Sequence, residues 1–182
     1  FLSRFNKLRE VCDLEAESGE SSKLDRICQL IDDITSANER AVVFSFWLTS
    51  LDELERRLAE REVRGILTIR GEMDVSERAS AIKAFRKNGR VLLASAKVAS
   101  EGLTLTEANH VIFINRWWNP SANSQALDRV RRIGQERPTF SYSFVMIDTI
   151  EERVSSMLRE KAYTHAELIE KLEAEANHST DV

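Results

Sequence analysis

Short apolar runs alternate along this chain with longer segments whose apolar residues recur every three or four positions. The runs are Ala41–Phe46, Gly65–Ile69, Val91–Ala94 and Val111–Ile114. Ala41–Phe46 is too short and too β-rich for a helix, and the pair Val91–Ala94 and Val111–Ile114 reads as buried parallel strands. Thr139–Ile147 instead alternates Phe140, Tyr142, Phe144 and Met146 against Ser141, Ser143 and Val145. That pattern predicts a strand with one less-buried face, at a sheet edge. Helical stripes fall between the runs. They are Leu24, Ile27, Cys28, Ile31 and Ile34; Leu51, Leu54 and Leu58; Ile82 and Phe85; Ile150, Val154, Met157 and Leu158. Phe1, Phe5, Leu8 and Cys12 predict a leading helix over 1–17, and Leu168, Ile169 and Leu172 a last one. Strand and helix alternating in this way imply an α/β fold with a parallel sheet.

Cap residues sharpen the boundaries. Ser22 with Asp25, Ser50 with Glu53, and Thr149 with Glu152 have capping-box spacing, and Ser76 suits the helix that Asn88-Gly89 ends. Asn119 suits an N-cap, Pro120 the first helical position and Gly134 a left-handed stop. They predict one helix from Pro120 to Gly134.

The chemistry gathers between Val91 and Gln135. On that helix, Gln125, Arg129 and Arg132 would share a face, with Ala126, Val130 and Ile133 on another. Arginine suits bidentate phosphate contact, and an inserted arginine stabilises charge on a transferring phosphoryl group. On spacing alone, a solvated basic face is the plainer reading. Ser95–Thr106 leaves the end of a central strand, where α/β sheets gather ligands. Its hydroxyls, Ser95 among them, and Lys97 suit phosphate groups, and Gly102 permits a close backbone approach. Ser45 ends the first strand, and Arg70-Gly71 the second. Trp117 and Trp118 diverge as neighbours in an extended segment, which leaves two readings: one buried with the other bracing a loop or meeting nucleic acid, or both partly buried at an edge of the domain.

Composition bounds the rest. The 182 residues fit one large domain with helical extensions, and 42% hydrophobic content supports a sizeable core. No run of about 18 apolar residues occurs, so no membrane-spanning helix is expected. The opening FLSRFNKLREV lacks an initiator Met and a signal pattern, and reads as the start of a fragment. The formal charge of −4 argues against nucleic acid, but its distribution does not. Residues 116–137 hold five Arg against Asp128 and Glu136, whereas residues 151–175 hold seven Glu against four basic side chains. Cys12 and Cys28 lack metal-ligand spacing and are expected as buried free thiols of an intracellular protein. There is no G-x-x-x-x-G-K-[ST] loop and no strand-end acidic pair for magnesium.

QALDRVRRIGQ resembles motif VI of SWI/SNF-type superfamily-two DNA-dependent ATPases. SAKVASEGLTL resembles their motif V, NRWWNP the tryptophan segment, RAVVFSFWLTSLDELERRL motif IV, LTIRGEMDVSERASAIKAF the element after it, and DTIEERVSSMLREK the brace helix. The match runs from about Lys23 to Lys161. Departures are Ala99-Ser100 for paired glycines, Thr104 for Asn and Asn115 for Asp. The resemblance implies the second RecA-like lobe, an α/β parallel sheet flanked by helices on both faces, with a C-terminal helical extension. It divides the chain into a lead-in over 1–20, the lobe over 21–148 and brace helices over 149–182. It implies catalytic Arg129 and Arg132, nucleotide contacts at Gln125, Gly102 and Glu101, and DNA contacts at Ser45, Arg70, Gly71, Ser95, Lys97 and Trp118. ATP and Mg2+ would be held mainly by a first lobe lying elsewhere in the parent, with duplex DNA, nucleosomes and other parent domains as partners in the nucleus. Alone, the lobe is not expected to turn over. Two other readings compete: an RNA helicase lobe, and an inactive lobe used for docking. Gln125 at the start of its motif, the Ile133-Gly134-Gln135 ending and the Trp-Trp-Asn-Pro segment count against the first of these.

Overall fold

The computed structural model describes residues 2–14, 20–95, 98, 102–117 and 120–159. Helix α1 spans Leu2–Asp13 and α2 Ser22–Ser36. Strand β1 (Ala41–Ser45) leads to α3 (Leu48–Glu60), β2 (Ile66–Ile69) to α4 (Val75–Asn88), and β3 (Val91–Ser95) towards β4 (His110–Phe113). Helix α5 (Pro120–Leu127), β5 (Phe140–Ser143) and α6 (Ile150–Arg159) follow. The strands form one parallel sheet in the order β2-β3-β1-β4-β5, with Ala41 opposite Val91 and His110. The α/β RecA-like reading therefore holds.

Strand alternation divides the core in two. Val42, Phe44, Leu92, Ala94, Val111 and Phe113 point to one face, where Ile82 and Phe85 of α4 and Ala126 of α5 cover them. Ala41, Val43, Val91, Leu93 and Ile112 point to the other, against α2 and α3. The central strands β1, β3 and β4 are buried throughout. This burial on both faces explains their unbroken apolar runs. Strand β5 lies at the edge, with Phe140 46% exposed. It stops at Ser143, short of the predicted Ile147.

Several caps differ from expectation. Ser21, not Ser22, caps α2, its hydroxyl accepting from the Leu24 N–H at 3.0 Å. Asp74, not Ser76, caps α4, in a reciprocal box with Glu77. Ser50 is buried within α3, and its hydroxyl donates to Asp13. In α2 and α4 a nearby polar residue makes the better-placed bond, whereas α3 has Trp47 at its cap position with no side-chain cap, and serine spacing alone does not rank these outcomes. Helix α1 stops at Asp13 and leaves Leu8 57% exposed. Cys28 is fully buried, whereas Cys12 is only partly so. Burial pushes the Cys28 thiol up to about 11.

Candidate functional site

The predicted helix to Gly134 is shorter than its caps suggested. Helix α5 ends at Leu127, and turns carry the chain through Gly134. The Arg129 and Val130 N–H groups bond three residues back, to Ala126 and Leu127. The Arg129 carbonyl accepts instead from the Leu105 N–H, at 2.8 Å. That carbonyl is the one a continuing helix would offer to Ile133, so a long-range bond diverts the backbone. Ile133, expected on the buried face, is fully exposed, while Ala126 and Val130 are buried. Gly134 does adopt a positive φ of 101°, but it closes a turn and not a helix.

Gln125, Arg129 and Arg132 thus do not share a helix face. Gln125 is exposed on α5, and both arginines lie in the turn beyond it. The turn is held against the segment entering β4. The Gln135 side-chain amide donates to the carbonyls of Ala108 at 2.6 Å, Thr106 at 3.2 Å and Val130 at 3.3 Å. The Arg132 guanidinium donates to the Thr104 hydroxyl at 3.0 Å and stays exposed. From α4, Arg86 donates to the Thr104 carbonyl at 3.0 Å and pairs with Glu107 at 3.1 Å. Among the described residues, no carboxylate lies within ion-pair distance of Arg132. Gly102 is exposed at a φ of 72°, with open space where a side chain would stand. Glu101, Lys97 and Trp118 lie outside the described residues.

The other candidates sit at the C-terminal ends of the strands. Ser45 is fully buried, and its hydroxyl accepts from the Asn115 amide at 3.1 Å and the Trp47 N–H at 3.2 Å. These two bonds enclose the hydroxyl at the end of β1. The register places Ser95 beside it, 6% exposed, its hydroxyl without a hydrogen-bond partner among the described residues. Arg70 is half-buried and bonded to Asp52, with Glu55 at 3.8 Å. The Gly71 carbonyl accepts from Arg78 at 2.9 Å. Trp117 packs against Phe44, Phe46 and Phe113, with ring centroids 5.8–6.1 Å away. The Asn123 side chain fixes its backbone, accepting from its N–H at 3.0 Å and donating to its carbonyl at 2.8 Å.

Sequence reasoning missed the group beneath these strand ends. Lys23 bonds Asp13 at 2.6 Å and both oxygens of Glu151 at 2.7 Å, and all three are at least 94% buried. Asp13 also accepts from Ser50 at 3.1 Å and from the Asn115 amide. Asn115 accepts in turn from the Phe46 N–H at 2.8 Å. Arg9, 2% exposed, donates to the Arg116 carbonyl at 2.6 Å and lies 5.5 Å from the Trp47 ring centre. Burial lowers the Arg9 pKa, opposed by the charges of Glu151 and Asp13. Periodicity gives no sign of this cluster, because its members come from five separate segments. Asn115, where the resemblance expects Asp, was the one available signal.

Residues 22–134 match the helicase conserved C-terminal domain family. YwqA of Bacillus subtilis (strain 168), described as an ATP-dependent helicase/translocase, is 32% identical over 180 residues. That alignment covers 93% of this chain and 20% of the Bacillus protein. The DNA repair protein RAD5B of Arabidopsis thaliana is 36% identical over 146 residues, covering 78% of this chain and 11% of that protein. This chain therefore spans a fifth or less of both relatives. The SWI2/SNF2 ATPase core of Sulfolobus solfataricus, solved in complex with dsDNA, superposes with a TM-score of 0.74 at 27% identity. The superposition covers 87% of this chain and 35% of that one. With a parallel RecA-like sheet, an arginine-bearing turn bound to the strand-entry segment and these likenesses, the chain belongs to the helicase C-terminal domain family and is a lobe of the SWI2/SNF2 type.

Proposed function

We propose that this lobe is the second half of an ATP-driven motor on double-stranded DNA, serving DNA repair or chromatin remodelling in the nucleus. The observation carrying this reading is the Arg129–Gln135 turn. It holds an exposed guanidinium, free of carboxylates among the described residues, on a rigid backbone support. A phosphate is a better acceptor for that guanidinium than the neutral Thr104 hydroxyl.

The residues present fit ATP as half of a site. Arg132, and Arg129 beside it, would face the γ-phosphate as a first lobe closes, with Gln125, Gly102 and Glu101 around the nucleotide. When bound, ATP with its Mg2+ supplies the phosphoryl group whose transfer drives the motor. Thr104 keeps Arg132 extended, Arg86 fixes Thr104, and Gln135 locks the turn. The lobe alone lacks a phosphate loop and is not expected to hydrolyse ATP. Lys97, Arg70, Gly71, Ser95 and Trp118 would meet the DNA backbone, largely without regard to sequence. Ser45, buried at the end of β1, would join these contacts only with a rearrangement of that strand exit.

The test is ATP turnover by the complete protein with duplex DNA, single-stranded DNA and RNA. Strongest stimulation by the duplex is expected. Stimulation by RNA alone, or no turnover with any of them, would overturn the reading. Lys97→Ala should weaken duplex binding and lower the slope of its salt dependence by about one.

A further inference from the structure

The ends of β1 and β4 lead into the two aromatic turns of the lobe, one holding Phe46 and Trp47, the other Trp117. One helix that precedes the sheet reaches both. Asp13, the last residue of α1, accepts from Asn115 just beyond β4 and from Ser50 of α3. Asn115 then bonds Ser45 and the Phe46 N–H just beyond β1. Arg9, one turn earlier on α1, meets the Trp47 ring and the Arg116 carbonyl. Lys23 joins Asp13 to Glu151, bringing α2 and α6 into the same cluster.

Buried charge clusters of this kind contribute little net stability compared with apolar packing, but breaking one is costly. They suit a task of fixing one geometry among several. Here the directions are specific. The Asn115 side chain donates to Asp13 and accepts from Phe46 N–H, so its amide is needed in a single orientation. A carboxylate at position 115 would face that of Asp13, with both residues 2% exposed or less.

We infer that Asp13 and Asn115 are matched positioning residues, through which α1 sets the two strand exits bearing Trp47 and Trp117 and is coupled to nucleic acid bound along the neighbouring strand ends. The coupling to nucleic acid rests on the proposed motor function. The setting of the exits by α1 does not. Coupling is reciprocal: whatever factor α1 docking adds to DNA affinity, bound DNA adds to α1 docking.

A reciprocal exchange tests this. Asn115→Asp places two buried carboxylates together. Adding Asp13→Asn restores one amide and one carboxylate, with donor and acceptor reversed. Tryptophan emission of this 182-residue chain, and duplex affinity of the complete protein, should be measured where far-UV circular dichroism shows a native fold. Asn115→Asp should red-shift the emission and weaken duplex binding about tenfold, and the double variant should recover most of both. Should the single variant fail to fold, recovery of folding by the double variant supports the pairing, and no recovery overturns it. A folded Asn115→Asp variant with unchanged emission and affinity would also overturn it. If the unmodified protein binds no duplex, the motor reading fails by itself, and the emission arm still decides whether α1 sets the exits.

Discussion

Two parts of this lobe hold arginine by opposite means. In the Arg129–Gln135 turn, a largely neutral backbone scaffold holds Arg132 out to solvent. Beneath the strand exits, Arg9 is buried and surrounded by compensating charge, alongside Lys23, Asp13 and Glu151. The same side chain is positioned for a ligand in one place and consumed by the fold in the other. What separates them is the company of carboxylates and depth of burial, and neither is visible from residue type.

The contrast makes its largest claim about chemistry. In the complete protein, Arg132→Ala should lower ATP turnover about a thousandfold or more, the range known for arginine fingers. Because the side chain is exposed and, among the described residues, bonds one hydroxyl, unfolding stability should move by less than about 0.5 kcal/mol. Parallel turnover and urea measurements check both halves. A large stability loss would place Arg132 with the structural arginines.

Lys23→Met is the mirror experiment. It leaves Asp13 and Glu151 buried without their shared cation, so urea unfolding should show a loss of about 3–5 kcal/mol. A neutral result would remove the distinction drawn above between the buried and the exposed cations.

Gln135→Ala lies between these extremes. It deprives three carbonyls of a donor next to the arginines, and should cost about 1–2 kcal/mol of stability. Turnover in the complete protein should fall as well, since the arginine-bearing turn would loosen.

The smallest effect concerns a surface site, Glu53. Bonds from Arg56, together with Arg57, hold its carboxyl at about 2, below the ordinary 4.5. A depressed carboxylate stabilises the fold above its unfolded pKa and loses that contribution as the pH falls. Acid titration of stability should therefore show a decline between about pH 4.5 and 2 that Glu53→Gln flattens. No flattening would show that the Glu53 pairs add nothing to stability in acid.

Much of this was readable in the chain. The unbroken runs of β1, β3 and β4 and the stripes of α2 and α3 follow from periodicity, because burial on one or two faces leaves a local record. The motif VI resemblance placed Arg129 and Arg132 on the page before any coordinates. What failed was whatever required a choice among equivalent polar groups. Ser50 and Ser76 have the right chemistry for capping, but Ser50 is spent on Asp13 and Asp74 takes the cap from Ser76.

The linear order of residues determined the sheet, its two layers and its family, since each depends on spacing or short motifs. Only the tertiary structure decided where α5 ends, because the bond from Leu105 to the Arg129 carbonyl spans 24 positions. Only it could join Asp13, Lys23, Asn115 and Glu151 into one cluster. A hydrogen bond depends on distance and direction in space, and separation along the chain encodes neither.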